Sequence, residues 1–378
     1  MYTKRIYDNL GEYIKSGKVL IIYGPRQVGK TTLIQNYLKT TKLKYRFETG
    51  ENIRIQNIFS TPDQKILTEF VEGFELLVID EAQLIPNIGR SLKLLVDTHP
   101  SLRIVAIGSS SFELAGQIGE PLIGRKQTLT LFPISQLELK NDLNTSILKE
   151  NLSEYLIYGS YPEILNSKNN QDKQIFLKDL VESYLLKDIL ALEKVKNSKK
   201  LFDLLRLLAF QVGSEVSLTE LAQKISMDYK TVARYLDLFE KAYIIFEIRG
   251  FSKNLRNEIN TKSKYYFYDN GVRNAIISSF NELDLRSDVG QLWENFIFIE
   301  RWKNRSYNNI LANTYFWRTW SQKEIDLIEE REGSIFAYEF KFNKDKIKFP
   351  KEWLENYPKA KNHLINQSNY LEFVAELS

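Results

Sequence analysis

The stretch Gly24 to Thr31, GPRQVGKT, constrains what this chain can fold into more than any other. It follows an unbroken apolar run, KVLIIY, and opens an amphipathic segment, KTTLIQNYLK. The first segment has the length and β-branched content of a buried strand, and the second has helical spacing. A glycine-flanked loop in that setting curls its backbone N–H groups around an anion at the positive end of a helix. The spacing G-x-x-x-x-G-K-T adds an ammonium for the β- and γ-phosphates and a hydroxyl for magnesium. Gly24, Arg26, Gly29, Lys30, Thr31 and Thr32 are therefore the expected nucleotide contacts, with ATP and Mg2+ as cofactors.

Two further strand-like runs support this reading. LLVIDEAQ, Leu76 to Gln83, ends in adjacent acids. Asp80 is expected near the magnesium ion, and Glu81 as the base that polarises the attacking water. Gln83 fits either a water-orienting role or an ordinary helix start. LRIVAIGSSS ends in serines that stand where related ATPases sense the γ-phosphate. Ser109, Ser110 and Ser111 are candidates, and Ser110 is preferred. Arg125, in EPLIGRKQTL, is a candidate for stabilising charge on the transferred phosphoryl group, from its own or a neighbouring subunit. A plain surface arginine is the competing reading. Short apolar runs alternating with helical stretches up to about residue 140 predict an α/β fold with a parallel sheet.

Composition removes several chemistries. Cysteine is absent, so disulfides, zinc–thiolate centres and cysteine nucleophiles are excluded. Only His99 and His363 are present, so a metal site must rest on carboxylates, which favours Mg2+, with Mn2+ as the alternative. The 378 residues suggest two or three domains. A net charge of +4 is compatible with nucleic acid without requiring it. No apolar run is long enough to span a bilayer, and the polar N-terminus is unlike a secretion signal. A cytoplasmic location is expected, with no membrane association.

The middle of the chain, EVSLTELAQKISMDYKTVARYLDLFEKAYIIFEIRG, reads as a winged helix-turn-helix. Asp228 is placed to cap a helix whose Val232, Tyr235, Leu236 and Phe239 face inward. Lys230, Thr231 and Arg234 then face outward, as on a helix that enters the major groove. The stretch SKNLRNEINTKSK would form the wing, with Lys253, Arg256, Lys262 and Lys264 meeting phosphates. Asp237 and Glu240 on the same helix oppose DNA contact, and a protein-binding role fits the pattern equally well.

Near the C-terminus, EIDLIEEREGSIFAYEFK predicts a hairpin turning at Gly333. Alternation puts Asp326 opposite its neighbours Ile325 and Leu327, and puts Glu339 and Lys341 on one face. Asp326 and Glu339 are candidate metal ligands, and Lys341 a candidate for positioning water or balancing charge. A solvated charged face is the alternative. Phe342 and His363 read as structural.

Together GPRQVGKTTL, LLVIDEAQ, GSSSFEL, IGRKQTLTLFPIS and YGSYPEIL resemble a large family of bacterial and archaeal AAA-like P-loop ATPases with a C-terminal domain of unknown function. The resemblance spans nearly the whole chain. It implies an ATPase domain over 1–140, a helical lid or linker over 141–200, a winged helix over 201–275 and a module over 276–378. That last module is expected to have an α/β restriction-endonuclease-like fold of the PD-(D/E)XK type. Such folds often supply an acid from their first helix, and Glu294 in GQLWEN stands in that position. The expected function is ATP-regulated DNA processing or defence. Two alternatives remain: a nucleotide-dependent switch that recruits protein partners or copies of itself, and a DNA-binding regulator that does not cut.

Overall fold

The computed structural model describes residues 3–108, 121–185, 198–251 and 262–376. Ser109, Ser110, Ser111, Lys253 and Arg256 lie outside the described residues. The chain forms two compact units. One comprises Lys4–Pro133 with the short segment Lys241–Tyr243; the other comprises Ile134–Glu240 and Ile244–Ser378.

The first unit is built on β1 (Val19–Tyr23), β2 (Tyr45–Thr49), β3 (Leu76–Asp80), β4 (Arg103–Ile107) and β5 (Lys126–Thr130). They form a parallel sheet in the order β2-β3-β4-β1-β5. Strands β1 and β3 are buried at every position, which is why both are unbroken apolar runs in the sequence. Ile21, Leu77, Ile79 and Ile104 pack with Phe59 and Leu92 from flanking helices. In an open parallel sheet, ligands bind beyond the C-terminal ends of the strands, where the strand order reverses. Here that is the end of β1, which β4 and β5 flank.

The second unit holds a seven-stranded sheet in the order β12-β11-β10-β9-β7-β8-β6. Its strands are β6 (Glu215–Val216), β7 (Ile245–Gly250), β8 (Ser263–Phe267), β9 (Asn313–Arg318), β10 (Glu324–Arg331), β11 (Ser334–Phe340) and β12 (Lys361–Ile365). Arg249 and Gly250 pair in parallel with Tyr315 and Phe316, so the segments expected as separate modules, 201–275 and 276–378, share one sheet. The helices Leu218–Lys224 and Tyr229–Lys241 precede β7. Val232, Tyr235, Leu236 and Phe239 are buried on the second of them. The Thr231 amide donates to Asp228 Oδ1 at 2.9 Å, the cap bond that the sequence pattern anticipates.

Arg331 pairs with Ser334 across the hairpin, and the two turn residues, Glu332 and Gly333, take φ of 50° and 71°. Positive φ at both positions is the turn that matches strand twist. The strand before it departs from simple alternation. Ile325 pairs with Trp317 but Ile328 with Tyr315, so β10 carries an extra residue relative to β9. Ile325 and Ile328 consequently share one core cluster with Trp317, Ala337 and Trp353. Asp326 turns away from Ile325 and its core cluster, as alternation suggested, and lies with Glu324 toward Glu294. The bulge lies between Ile325 and Ile328, so alternation fails only beyond Asp326.

The long helix Val289–Tyr307 packs over the sheet. Arg301 clamps Glu329 of β10 through Nε and Nη2, both at 3.0 Å, and Arg305 Nη1 adds a third bond at 3.1 Å. Glu329 is fully buried, and the arginines hold its carboxyl below the usual range against the effect of burial. Phe342 sets its ring edge-on to Trp293 of this helix, and His363 stacks on Tyr338. Among the described residues, no helix is long and apolar enough to cross a membrane.

Candidate functional site

The loop after β1 has a conformation that its sequence requires. Gly24 takes φ of 145°, and a Cβ there would lie 1.9 Å from the Leu131 carbonyl oxygen, so no other residue fits without moving the backbone. Gly29, at φ 93°, caps the helix Lys30–Thr40. Lys30 is 7% exposed and donates from Nζ to the Gly24 and Pro25 carbonyls at 2.8 and 2.6 Å. Its ammonium is thus held at the loop by neutral acceptors. Thr31 donates from Oγ1 to Asp80 Oδ2 at 2.7 Å, which joins the loop hydroxyl to the end of β3. These hard oxygen donors from two elements suit Mg2+. Arg26 is half-buried, and Thr32 is exposed on the first helical turn.

Glu81 follows in a left-handed conformation, with φ of 46°, and its amide donates to Asp80 Oδ1 at 2.9 Å. Gln83 donates from Nε2 to Glu81 Oε2, so this side chain orients the acid. Arg125 is paired at the surface with Asp97 Oδ1 at 2.5 Å. Two residues that the sequence reading missed support the loop. Arg5, 5% exposed, donates to the Val28 and Phe132 carbonyls at 2.5 and 2.7 Å. Gly50 donates its amide to the Asp80 carbonyl at 2.7 Å, and a Cβ there would come within 2.2 Å of the Glu81 carbonyl oxygen. No local motif signals either contact.

The second candidate site lies at the start of β10. Asp326 Oδ2 accepts from the Phe340 amide at 2.7 Å and from Lys341 Nζ at 3.3 Å. Lys341 Nζ also donates to Glu339 Oε2 at 2.8 Å. Burial, and next to it the charge of Asp326, pushes the Glu339 carboxyl up to about 8. Burial opposes the Lys341 charge, but Asp326 and Glu339 more than offset it and raise its pKa above the ordinary lysine value. Glu294, on the long helix, joins this group, as does a residue that the sequence reading passed over. Glu294, Glu324 and Asp326 offer carboxylate oxygens that all lie within 4.8 Å of one another. The overlooked signal was spacing: Glu324 stands two residues before Asp326 on the same strand.

Lys264 corrects an expectation. The sequence placed it on an exposed wing, whereas it is fully buried, because every position of β8 from Lys264 to Phe267 is covered. Its Nζ reaches Glu294 Oε1 at 3.2 Å and also binds Glu324 Oε1. Tyr266, on the same face of β8, donates to Glu294 Oε1 at 2.7 Å. Burial raises the Glu294 pKa to about 7; Lys264 pulls it down, and Asp326 pushes it up again.

On the helix Tyr229–Lys241, Lys230 and Arg234 are exposed, while Thr231 is half-buried and turns its hydroxyl to Asp228. Asp237 is exposed, but Glu240 accepts from the Glu247 amide at 2.7 Å and so faces β7 rather than the outer surface. Lys199, Lys200, Arg206 and Lys224 line an open groove with Phe210.

Comparison with known proteins agrees with the first unit's architecture. Residues 16–140 match an AAA domain, so the parallel sheet and its loop belong to an AAA-type, P-loop ATPase-like domain. Residues 149–283 and 289–375 match two domains of unknown function, DUF8612 and DUF4143. The chain is 26% identical over 327 residues to an uncharacterized protein of Mycobacterium tuberculosis, covering 85% of this chain and 70% of that one. It is 25% identical over 378 residues to an uncharacterized protein of Haemophilus influenzae, covering 93% and 87%. An uncharacterized protein of Methanocaldococcus jannaschii is 26% identical over 302 residues, covering 75% and 66%.

Proposed function

We propose that this chain is a Mg2+-dependent ATPase whose C-terminal module is a metal-dependent nuclease-type site, so that nucleotide turnover governs action on DNA. In the first unit, Lys30 exchanges two loop carbonyls for phosphate oxygens. Thr31 and Asp80 hold the ion, and Glu81, oriented by Gln83, accepts the proton of the attacking water. Arg125, once parted from Asp97, stabilises charge on the transferred group from its own subunit or from a second copy. Ser110 contacts the γ-phosphate.

The nuclease reading rests on one observation: Asp326, Glu339 and Lys341 meet at one point of a hairpin, with Glu294 beside them. A carboxyl pair with a neighbouring lysine suits a hard cation, Mg2+ or Mn2+, which when bound polarises the scissile phosphate and acidifies water. Asp326 and Glu339 hold the ion, and Lys341 orients the water. The winged-helix segment then holds the DNA backbone through Lys230, Arg234, Lys253 and Arg256, with Thr231 held by the Asp228 cap. Linear and supercoiled DNA incubated with Mn2+ or Mg2+ and ATP test this. Cleavage lost in Asp326→Ala and in Lys341→Ala is the expected result; cleavage that survives both overturns the assignment.

One observation favours a second reading, a switch that recruits protein partners without cutting. Glu294 and Glu324 already share a cation from within, Lys264. Absence of cleavage on DNA and RNA, with ATP turnover intact, decides for the switch.

A further inference from the structure

The acidic cluster contains more carboxylate than a single ion needs. Glu294, Glu324, Asp326 and Glu339 carry four negative charges when ionised, and Lys264 and Lys341 carry two positive ones. For these six groups, four minus two leaves two. Arg318 meets Glu324 Oε2 at 3.3 Å and also Glu215 Oε2 at 3.5 Å, an oxygen that Lys262 meets in turn at 3.9 Å.

The two lysines divide the cluster. Lys341 is engaged by Asp326 and Glu339 and remains about one-third exposed. Lys264 is engaged by Glu294 and Glu324 and is fully enclosed, with its Nζ 5.3 Å from the centre of the Phe316 ring. Tyr266 donates to the same Glu294 oxygen that Lys264 reaches, which fixes the carboxylate in place. Sites of phosphoryl transfer commonly hold two divalent ions about 3.5–4 Å apart. Here the carboxylates that a second ion would need are taken by an ammonium. Ionised and uncompensated, those acids would be costly to bury, so a cation there favours their charged form.

We propose that Lys264 is a built-in second cation. Its ammonium stands among Glu294 and Glu324 where a two-ion site would hold a second metal, so the cluster takes a single divalent ion at Asp326 and Glu339. Lys264 comes from β8, inside the stretch matched by DUF8612 and outside residues 289–375 matched by DUF4143. The C-terminal site is thus completed by the segment that precedes it. This inference rests on the metal-site reading above.

The test is Mn2+ binding to the full chain without nucleotide, followed by calorimetry and by the paramagnetic resonance of free Mn2+. A Thr31→Ala background keeps the loop's own ion out of the count. The parent is expected to bind one ion, lost in Asp326→Ala. Lys264→Met is expected to bind two, and Lys264→Met with Glu324→Gln to return to one. A Lys264→Met protein that melts early in metal-free buffer is expected to recover its melting temperature as Mn2+ is added. Unchanged stoichiometry and affinity in Lys264→Met, or a lowered melting temperature that Mn2+ does not restore, overturns the inference and leaves the metal site standing. A parent with no Asp326-dependent ion overturns the metal-site reading, and this inference with it.

Discussion

Lys30 and Lys264 are both buried ammonium groups beside a candidate phosphate chemistry, yet they are held in opposite ways. Lys30 rests on the carbonyls of Gly24 and Pro25, neutral acceptors that a phosphate replaces with gain. Lys264, itself fully buried, rests on two carboxylates, which no incoming neutral group can match. On the proposed function the first lysine would be exchanged and the second would stay. A positive charge serves a ligand when its resting partners are weak, and serves the fold when they are strong.

The comparison is most easily broken by removing each lysine in turn. Lys30→Ala is expected to lower ATP turnover on the order of 100-fold or more, as loss of a preorganised donor to a reacting phosphate does. Its melting temperature should fall less than that of Lys264→Ala; an equal or larger loss would mean that Lys30 is structural. Lys264→Ala is expected to do the reverse in metal-free buffer. Breaking a buried ion pair costs about 3–5 kcal/mol, readable by urea unfolding, while nucleotide affinity stays near that of the parent.

A smaller effect is expected where the loop is braced. Arg5→Ala leaves the Val28 and Phe132 carbonyls without this donor, at about 1–3 kcal/mol for each buried group left unsatisfied. Because one of these carbonyls is in the loop, nucleotide affinity measured by fluorescence titration should weaken as well. Stability lost without any loss of affinity would place Arg5 outside the nucleotide function.

Charge on the helix Tyr229–Lys241 sharpens the contrast further, because its basic groups face solvent. Lys230→Ala and Arg234→Ala should each lower the salt slope of DNA binding by about one if each neutralises a phosphate. Unchanged slopes would remove that helix from any DNA interface. The smallest expected effect is at Glu240, which burial pushes up to about 7, aided by the nearby charges of Glu247 and Asp237. A carboxyl with a raised folded pKa favours the folded state when protonated, and that contribution is lost as pH rises through about 7. Glu240→Gln should therefore raise the melting temperature at pH 8 and leave it nearly unchanged at pH 5. An equal change at both would show that Glu240 is not inward-facing in solution.

Much of the architecture was legible because it is written in local patterns. The strands β1, β3 and β4 are short apolar runs, and the loop between β1 and its helix follows from Gly24, Gly29 and Lys30 alone. The hairpin turn at Glu332 and Gly333 follows from two positions that need positive φ. The nearness of Glu339 to Lys341 followed from a spacing of two, and that of Asp326 from the hairpin's register. Alternation failed between Ile325 and Ile328, because a bulge is a property of how two strands pair and leaves no local signature. Lys264 was misplaced for a similar reason: a lysine among polar residues reads as exposed until the strand order is known.

The sequence by itself determined a glycine-flanked loop between a strand and a helix, the absence of cysteine and scarcity of histidine that leave carboxylates for any metal site, and an acid-bearing hairpin near the C-terminus. These depend on residue type and short spacing. Only the tertiary structure decided which distant groups complete each site. Arg5 reaches Phe132, and Lys264 reaches both Glu294 and Glu324, across stretches of chain that no periodicity links. Both lysines are buried, and it is the partners that the fold supplies, carbonyls for Lys30 and carboxylates for Lys264, that set them apart.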